Sequence, residues 1–231
     1  MLALIIGAII GTITSIITSG LVAMFVEFMR RPRLKLLIEP PLDPPPYNPP
    51  RNNVSEARFL RLIVHNEPLP GWVRWMLRGP ALQCKAAISF RHHDNGQNVF
   101  GEVMNGRWSN SQEPVPLPVV GPAGQQFQIL DFARLTLESR IDIYPGQEQT
   151  LDIAARFDND AQCYGWNNEG YFSMPVWRNP KWMLPPERYL VKVIVSSSGQ
   201  EFVDYFRLVN TGLRGACRLE AASQKDRNLL R

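Results

Sequence analysis

His92, His93 and Asp94 stand in a row, and imidazole and carboxylate groups are common metal ligands. Neighbouring side chains on a strand point to opposite faces, however, so two adjacent rings do not readily share one ion. The triplet therefore reads as a solvated hairpin end. His65 is the third and last histidine, which leaves few groups for acid–base work near pH 7. Residues 157–172, FDNDAQCYGWNNEGYF, offer carboxylates and amides from Asp158, Asn159, Asp160, Asn167, Asn168 and Glu169. Oxygens of this kind suit calcium, but the ligand order of a helix-loop-helix calcium loop is missing. The chain contains no phosphate-binding glycine loop, dinucleotide fingerprint, HExxH, GxSxG or CxxC pair. No enzyme is indicated, and no cofactor or metal is expected.

The same loop reads better as a recognition surface. Tyr164, Trp166, Tyr171 and Trp177 are interleaved with Asn167 and Asn168, and aromatic rings beside polar groups favour interfaces and small-ligand pockets. The competing reading is that the rings pack a long loop onto the body. A second aromatic stretch, WVRWMLRG (72–79), sets Trp72, Trp75, Met76 and Leu77 among arginines. It suits either a membrane interface or packing across one end of the domain.

These groups need elements to position them, and the first is an apolar helix. No charged residue occurs from Leu2 to Val26. Those positions span about 37 Å as a helix, against a hydrocarbon core of about 30 Å, so an uncleaved transmembrane helix is expected over residues 1–29. Within it Gly7, Gly11, Ser15, Ser19 and Ala23 recur every fourth position and share one face. A stripe of small residues permits close helix–helix approach, so a homo-oligomer or a partner transmembrane helix is expected along it.

Arg30, Arg31, Arg33 and Lys35 follow, opposed only by Glu27. Basic residues stay on the cytoplasmic side and attract anionic lipid headgroups, so the large domain is expected in the cytoplasm, at the cell membrane. The chain carries +4 overall, but this cluster and the tail from Arg214 contribute three each, which leaves residues 36–213 at −2. A slightly acidic body does not support nucleic-acid binding. Three scattered cysteines, Cys84, Cys163 and Cys217, suit reduced thiols; were the domain exported, Cys84 and Cys163 could bridge two sheets.

Beyond the basic strand comes PPLDPPPYNPPRNN (40–53), with seven prolines in fourteen positions, which reads as a stiff spacer. Residues 30–53 thus form a basic juxtamembrane strand and Pro-rich spacer. From 54 to 213 the pattern is β. Strand-like runs occupy 57–66, 82–92, 98–109, 139–157, 188–197 and 201–210, with turn signals at Asp94-Asn95-Gly96, Pro145-Gly146 and Ser198-Gly199-Gln200. The phrases IYPGQEQTLDIAARF and LPPERYLVKVIVSSSGQEF resemble paired strands of immunoglobulin-like and fibronectin-type modules. That resemblance implies an antiparallel immunoglobulin-like β-sandwich with long loops, and it carries no catalytic residue. Residues 214–231 read as a polar tail.

The expected function is a single-pass, membrane-anchored binding or adaptor protein that tethers a protein or small ligand at the cytoplasmic membrane face. A membrane effector, in which the β-domain senses a signal and the helices oligomerise to disrupt the bilayer, is the alternative. The absence of charge within the span weakens a conducting pore.

Overall fold

A helix that is apolar all round has no polar face to offer water, and α1 (Leu2–Arg30) finds little in its own chain to cover it. Ile10, Ile13, Ile16, Ile17, Leu21 and Phe25 are all exposed in the computed structural model. That structure describes residues 1–43, 57–73, 75–111, 117–122, 124–129, 140–157, 160–173 and 177–229. The stretch Ile9–Arg30 is long and apolar enough to cross a membrane, at about 33 Å for its 22 residues. Two hydroxyls inside it are satisfied locally: Thr14 Oγ1 donates to the Ile10 carbonyl at 2.9 Å, and Ser19 Oγ to that of Ser15 at 2.8 Å. Such internal bonds are what a hydrocarbon environment requires.

The rest of the chain is mainly β, in two antiparallel sheets. The first runs in the order β1 (Leu34–Ile38), β2 (Ala57–Asn66), β9 (Glu148–Phe157), β10 (Cys163–Gly165) and β11 (Met183–Leu184), with β5 (Arg107–Trp108) also paired to β9. The second runs β14 (Arg218–Ala221), β13 (Gln200–Val209), β12 (Arg188–Ser197), β3 (Ala81–His92) and β4 (Met104–Asn105). There β8 (Ile141–Ile143) joins β3. A separate ribbon pairs β6 (Leu117–Val120) with β7 (Gln126–Ile129).

Both sheets feed one hydrophobic cluster. Leu60, Leu62 and Val64 of β2 and Leu151 and Ile153 of β9 join Ile88 and Phe90 of β3 and Val191, Val193 and Val195 of β12. The alternation along β2 from Leu60 and along β12 from Val191, buried at every second position, is the period-two pattern of strands with one face on a core. Trp108 is fully buried, and its indole donates to the Cys84 carbonyl at 3.2 Å.

Two connections differ from a simple hairpin reading. After the turn at Gly96, the return to β3 is limited to a bridge from Asn98 to Arg91 and the short strand Met104–Asn105; Arg107–Trp108 has already crossed to the first sheet. Gly106 is the pivot. A Cβ there would lie 2.6 Å from the Ala86 Cβ, so only glycine lets the crossing chain come this close. Likewise β8 and β9 flank the Pro145-Gly146 turn but pair with different sheets.

The closing hairpin is a true one. Ser197 pairs with Gln200 across a two-residue loop in which Ser198 (φ +47) and Gly199 (φ +79) both take positive φ, as a type I′ turn demands.

The expected polar tail contributes to the sheet. Arg218–Ala221 forms β14 on β13, and α2 (Gln224–Leu229) follows it. The Ser223 hydroxyl accepts from the Asp226 amide at 3.3 Å, while an Asp226 carboxylate oxygen accepts from the Ser223 amide at 2.8 Å, a reciprocal cap. Most of the proline spacer, from residue 44 onward, lies outside the described residues.

Candidate functional site

The last turn of a helix leaves carbonyls without partners, and how they are satisfied decides how the helix joins the body. The Gly79 amide donates to the Arg30 carbonyl at 2.6 Å, and the Arg78 guanidinium donates to that of Arg31 at 2.8 Å. Asn66, fully buried at the end of β2, accepts from the Arg33 amide at 3.3 Å. Its side-chain amide donates to the Gly79 carbonyl at 3.3 Å and the Ile143 carbonyl at 3.0 Å. Apolar contacts reinforce the joint: Met29 and Val26 pack with Val73, Met76 and Leu69. Burial and the neighbouring Arg33 charge lower the pKa of Arg78 from its ordinary value, against the opposite pull of Glu67. Arg30, Arg31, Arg33 and Lys35 all stand exposed just beyond the junction. Along the helix, Gly11 has open space where a Cβ would be, and Ser15, Ser19 and Ala23 are exposed.

A small polar cleft lies where the chain crosses between sheets. Its volume is about 90 Å³, and its lining includes Glu102, Asn105, Arg107, Asn168, Glu169 and Lys181. Two short 3-10 turns position the far wall. The Asn167 side chain accepts from the Gly170 amide at 3.3 Å, and that of Asn179 from Lys181 at 3.0 Å. Lys181 Nζ lies 3.1 Å from Glu102 and 3.6 Å from Glu169, and 4.6 Å from the centre of the Trp182 ring. Burial pulls the Lys181 pKa down, but the Glu102 hydrogen bond and both carboxylate charges outweigh it and raise it overall. The Trp182 indole donates to Glu169 at 2.8 Å, while Asn168 Oδ1 is buried without a hydrogen-bond partner among the described residues. Pockets for cofactor-sized ligands run to roughly 300–1,000 Å³, so this cleft fits one side chain or a few waters.

Behind the cleft sits a buried carboxylate. Asp152 is 1% exposed and accepts from Arg107 at 2.6 Å, Arg61 at 2.8 Å and the Ser109 hydroxyl at 2.8 Å. The register of β9 against β2 slips beside it: Leu60 faces Ala154 and Arg61 faces Asp152, with Ile153 as the extra residue of a bulge. Bulges re-aim side chains, and this one brings the carboxylate to three donors on β2, β5 and the turn after β5.

Arg156, on the same strand, is equally buried, and it donates to amide and carbonyl oxygens. It donates to the Asn210 side chain and the Ala161 carbonyl at 2.5 Å each, and to the carbonyls of Asp160 and Gly212. Neither Asp152 nor Arg156 stood out in the sequence. Their signal was a charge inside a run, LDIAARF, whose other members are mostly apolar.

The aromatic loop is largely interior. Tyr164 (7% exposed) and Trp166 (3%) join Ala57, Ala155 and Phe157 in a second cluster, with Phe59 and Trp177 packed against it. Trp166 meets Phe59 at 5.4 Å and Trp177 at 6.3 Å, both edge-on. Trp177 is half-buried at φ +66, a strained conformation for a bulky residue, and its ring packing opposes that strain. Asn167 is buried as a cap, and Asn168 faces the cleft. Tyr171 lies in the first 3-10 turn, its side chain outside the described residues. Apart from Tyr171, the candidate surface residues divide between a ring cluster and the cleft wall.

Several other polar groups singled out in the sequence are held in pairs. Asp160 accepts from Arg178 at 2.5 Å; Asp158 and Asn159 lie outside the described residues. His92 meets Glu187 at 2.8 Å, and His93 meets Asp226 at 3.3 Å, so the adjacent rings engage different carboxylates. Among the described residues, no three His, Cys, Asp or Glu side chains gather closely enough to hold a metal ion.

All three cysteines are buried free thiols. Cys84 donates to the Ala81 carbonyl at 3.3 Å, while Cys163 turns to Cys217 instead. Burial and that hydrogen bond raise the Cys163 thiol. The same bond, aided by the Arg156 charge, lowers that of Cys217 against the effect of burial. The pair brought together across the body is thus Cys163 and Cys217, not Cys84 and Cys163.

Comparison with known proteins finds no similar one: no family model, curated protein or solved structure matches the chain.

Proposed function

We propose that this chain is a single-pass, membrane-anchored β-sandwich of immunoglobulin-like type that holds a binding surface at the cytoplasmic face of the cell membrane. The observation that carries this reading is the junction. An apolar helix with open side chains is fastened through its last turn to a folded body, and exposed basic residues ring the joint. Fastening of this kind suits an anchor that stays attached and sets the position of the domain. The basic ring supports the cytoplasmic orientation.

The polar cleft supports recognition of a partner's side chain. Its small volume and its mixture of Lys181, Glu102 and the amide oxygen of Asn168 favour a hydrogen-bonding group on a protein over a free metabolite. Partner helices meeting along Gly11, Ser15 and Ser19 would add lateral association.

Protease protection tests the reading. In intact cells the body is expected to resist externally added protease and to be digested after lysis, with the chain retained in membranes through an alkaline wash. Release by the wash would remove the anchor from the proposal. Digestion of the body without lysis would reverse the orientation.

A further inference from the structure

Three large apolar side chains beside the helix junction lie open. Trp72 is 71% exposed, Trp75 74% and Leu77 81%, the highest values for large apolar residues after α1 among the described residues. Their chain neighbours do the opposite. Val73 (1%) and Met76 (7%) are buried and pack on Met29 and Val26 of α1. The segment is thus two-sided in place, with one face on the helix and the other turned outward.

The helix fixes where that outward face lies. Val26 is the last residue before the first charge, Glu27, and Met29 lies within one helical turn of it. The contacts to Val73 and Met76 therefore hold Trp72, Trp75 and Leu77 at the level where a span would leave the hydrocarbon. The backbone bond from Gly79 to Arg30 prevents the segment from sliding away from that level. Tryptophan favours this boundary because its ring is apolar and its N–H can still reach water or headgroups. Exposed Arg30, Arg31 and Arg33 supply the charge that anionic headgroups complement.

We infer that the loop carrying Trp72, Trp75 and Leu77 is a second membrane contact, seated in the headgroup layer of an anionic bilayer. This rests on the membrane-anchored reading above. The consequence is orientational: helix and loop hold the body at two points, so it cannot swing freely about residues 31–33. Its cleft then keeps one bearing relative to the bilayer.

Tryptophan fluorescence tests the contact, because α1 contains no tryptophan, Trp108, Trp166 and Trp182 are buried, and Trp177 is half-buried against Trp166 and Phe157. The full chain is reconstituted into vesicles of phosphatidylcholine and phosphatidylglycerol, with part of the phosphatidylcholine brominated near the top of the acyl chains. The brominated lipid is expected to dim wild-type emission, and the double variant Trp72→Phe/Trp75→Phe is expected to lose most of that response. If the chain floats with vesicles but the lipid dims both proteins equally, or neither, the loop contact is overturned and the anchor stands. Coverage of the patch by another protein would give that second result. If the chain does not float with the vesicles, the anchor reading falls and this inference falls with it.

Discussion

The Gly79 amide donates to the Arg30 carbonyl at 2.6 Å, so the segment ahead of β3 caps the end of a helix far from it in sequence. The approach depends on glycine. A Cβ at position 79 would lie 2.9 Å from the same carbonyl oxygen, closer than real Cβ atoms come to a backbone oxygen.

Gly79→Val is therefore expected to loosen the junction while leaving the sheets folded. One lost backbone hydrogen bond costs about 1 kcal/mol, and displacement of the Met29 contacts adds to it. Trypsin should cut after Arg30 or Arg33 faster in the variant than in the wild type, with the body fragment persisting. Equal cutting rates would show that the bond does not hold the joint.

Asp152 and its two arginines give the sharpest stability prediction. Asp152→Asn removes the negative charge between Arg61 and Arg107 and breaks the buried Arg107–Asp152 pair from one side. Breaking a buried pair from one side typically costs about 3–5 kcal/mol. The urea midpoint should fall accordingly, and a shift below roughly 1 kcal/mol, the scale of an exposed pair, would contradict the burial.

Asp226 predicts an acid transition. Burial would raise its pKa, but the Ser223 amide and hydroxyl and the Arg207 guanidinium overcome this and lower it from 3.8 to about 2. A depressed carboxylate favours the folded state above its ordinary pKa, and that contribution disappears as pH falls from 3.8 towards about 2. The amount is on the order of 2 kcal/mol, since each tenfold change in proton affinity corresponds to about 1.4 kcal/mol. Asp226→Asn should be less stable at neutral pH and should show a flatter stability profile over that acid window. Chemical denaturation at a series of pH values measures both.

Trp166→Ala should act on stability before it acts on binding. The ring is 3% exposed and is enclosed by Phe59, Phe157 and Trp177, so truncation leaves a cavity. Removal of a buried tryptophan side chain costs about 3–5 kcal/mol. A melting temperature close to wild type would mean that the ring is dispensable to packing and available to a partner.

Composition and periodicity alone determined the apolar helix, the basic residues after it, and most of the strands. Residues 57–66 and 188–197 read as strands and form them over the same spans. A chemical preference that acts locally, such as apolar length, side-chain alternation or a Ser-Gly turn, leaves its mark in consecutive residues. Partnership between distant residues leaves none. Nothing in the order of the chain tells that β8 and β9 belong to different sheets, or that Gly106 is small because Ala86 stands against it. The aromatic loop shows the same limit. Trp166 and Asn168 are two positions apart, yet one is enclosed in a ring cluster and the other lines a cleft. That division depends on which strands and turns lie alongside, and close packing of parts remote in sequence is decided only when the tertiary structure forms.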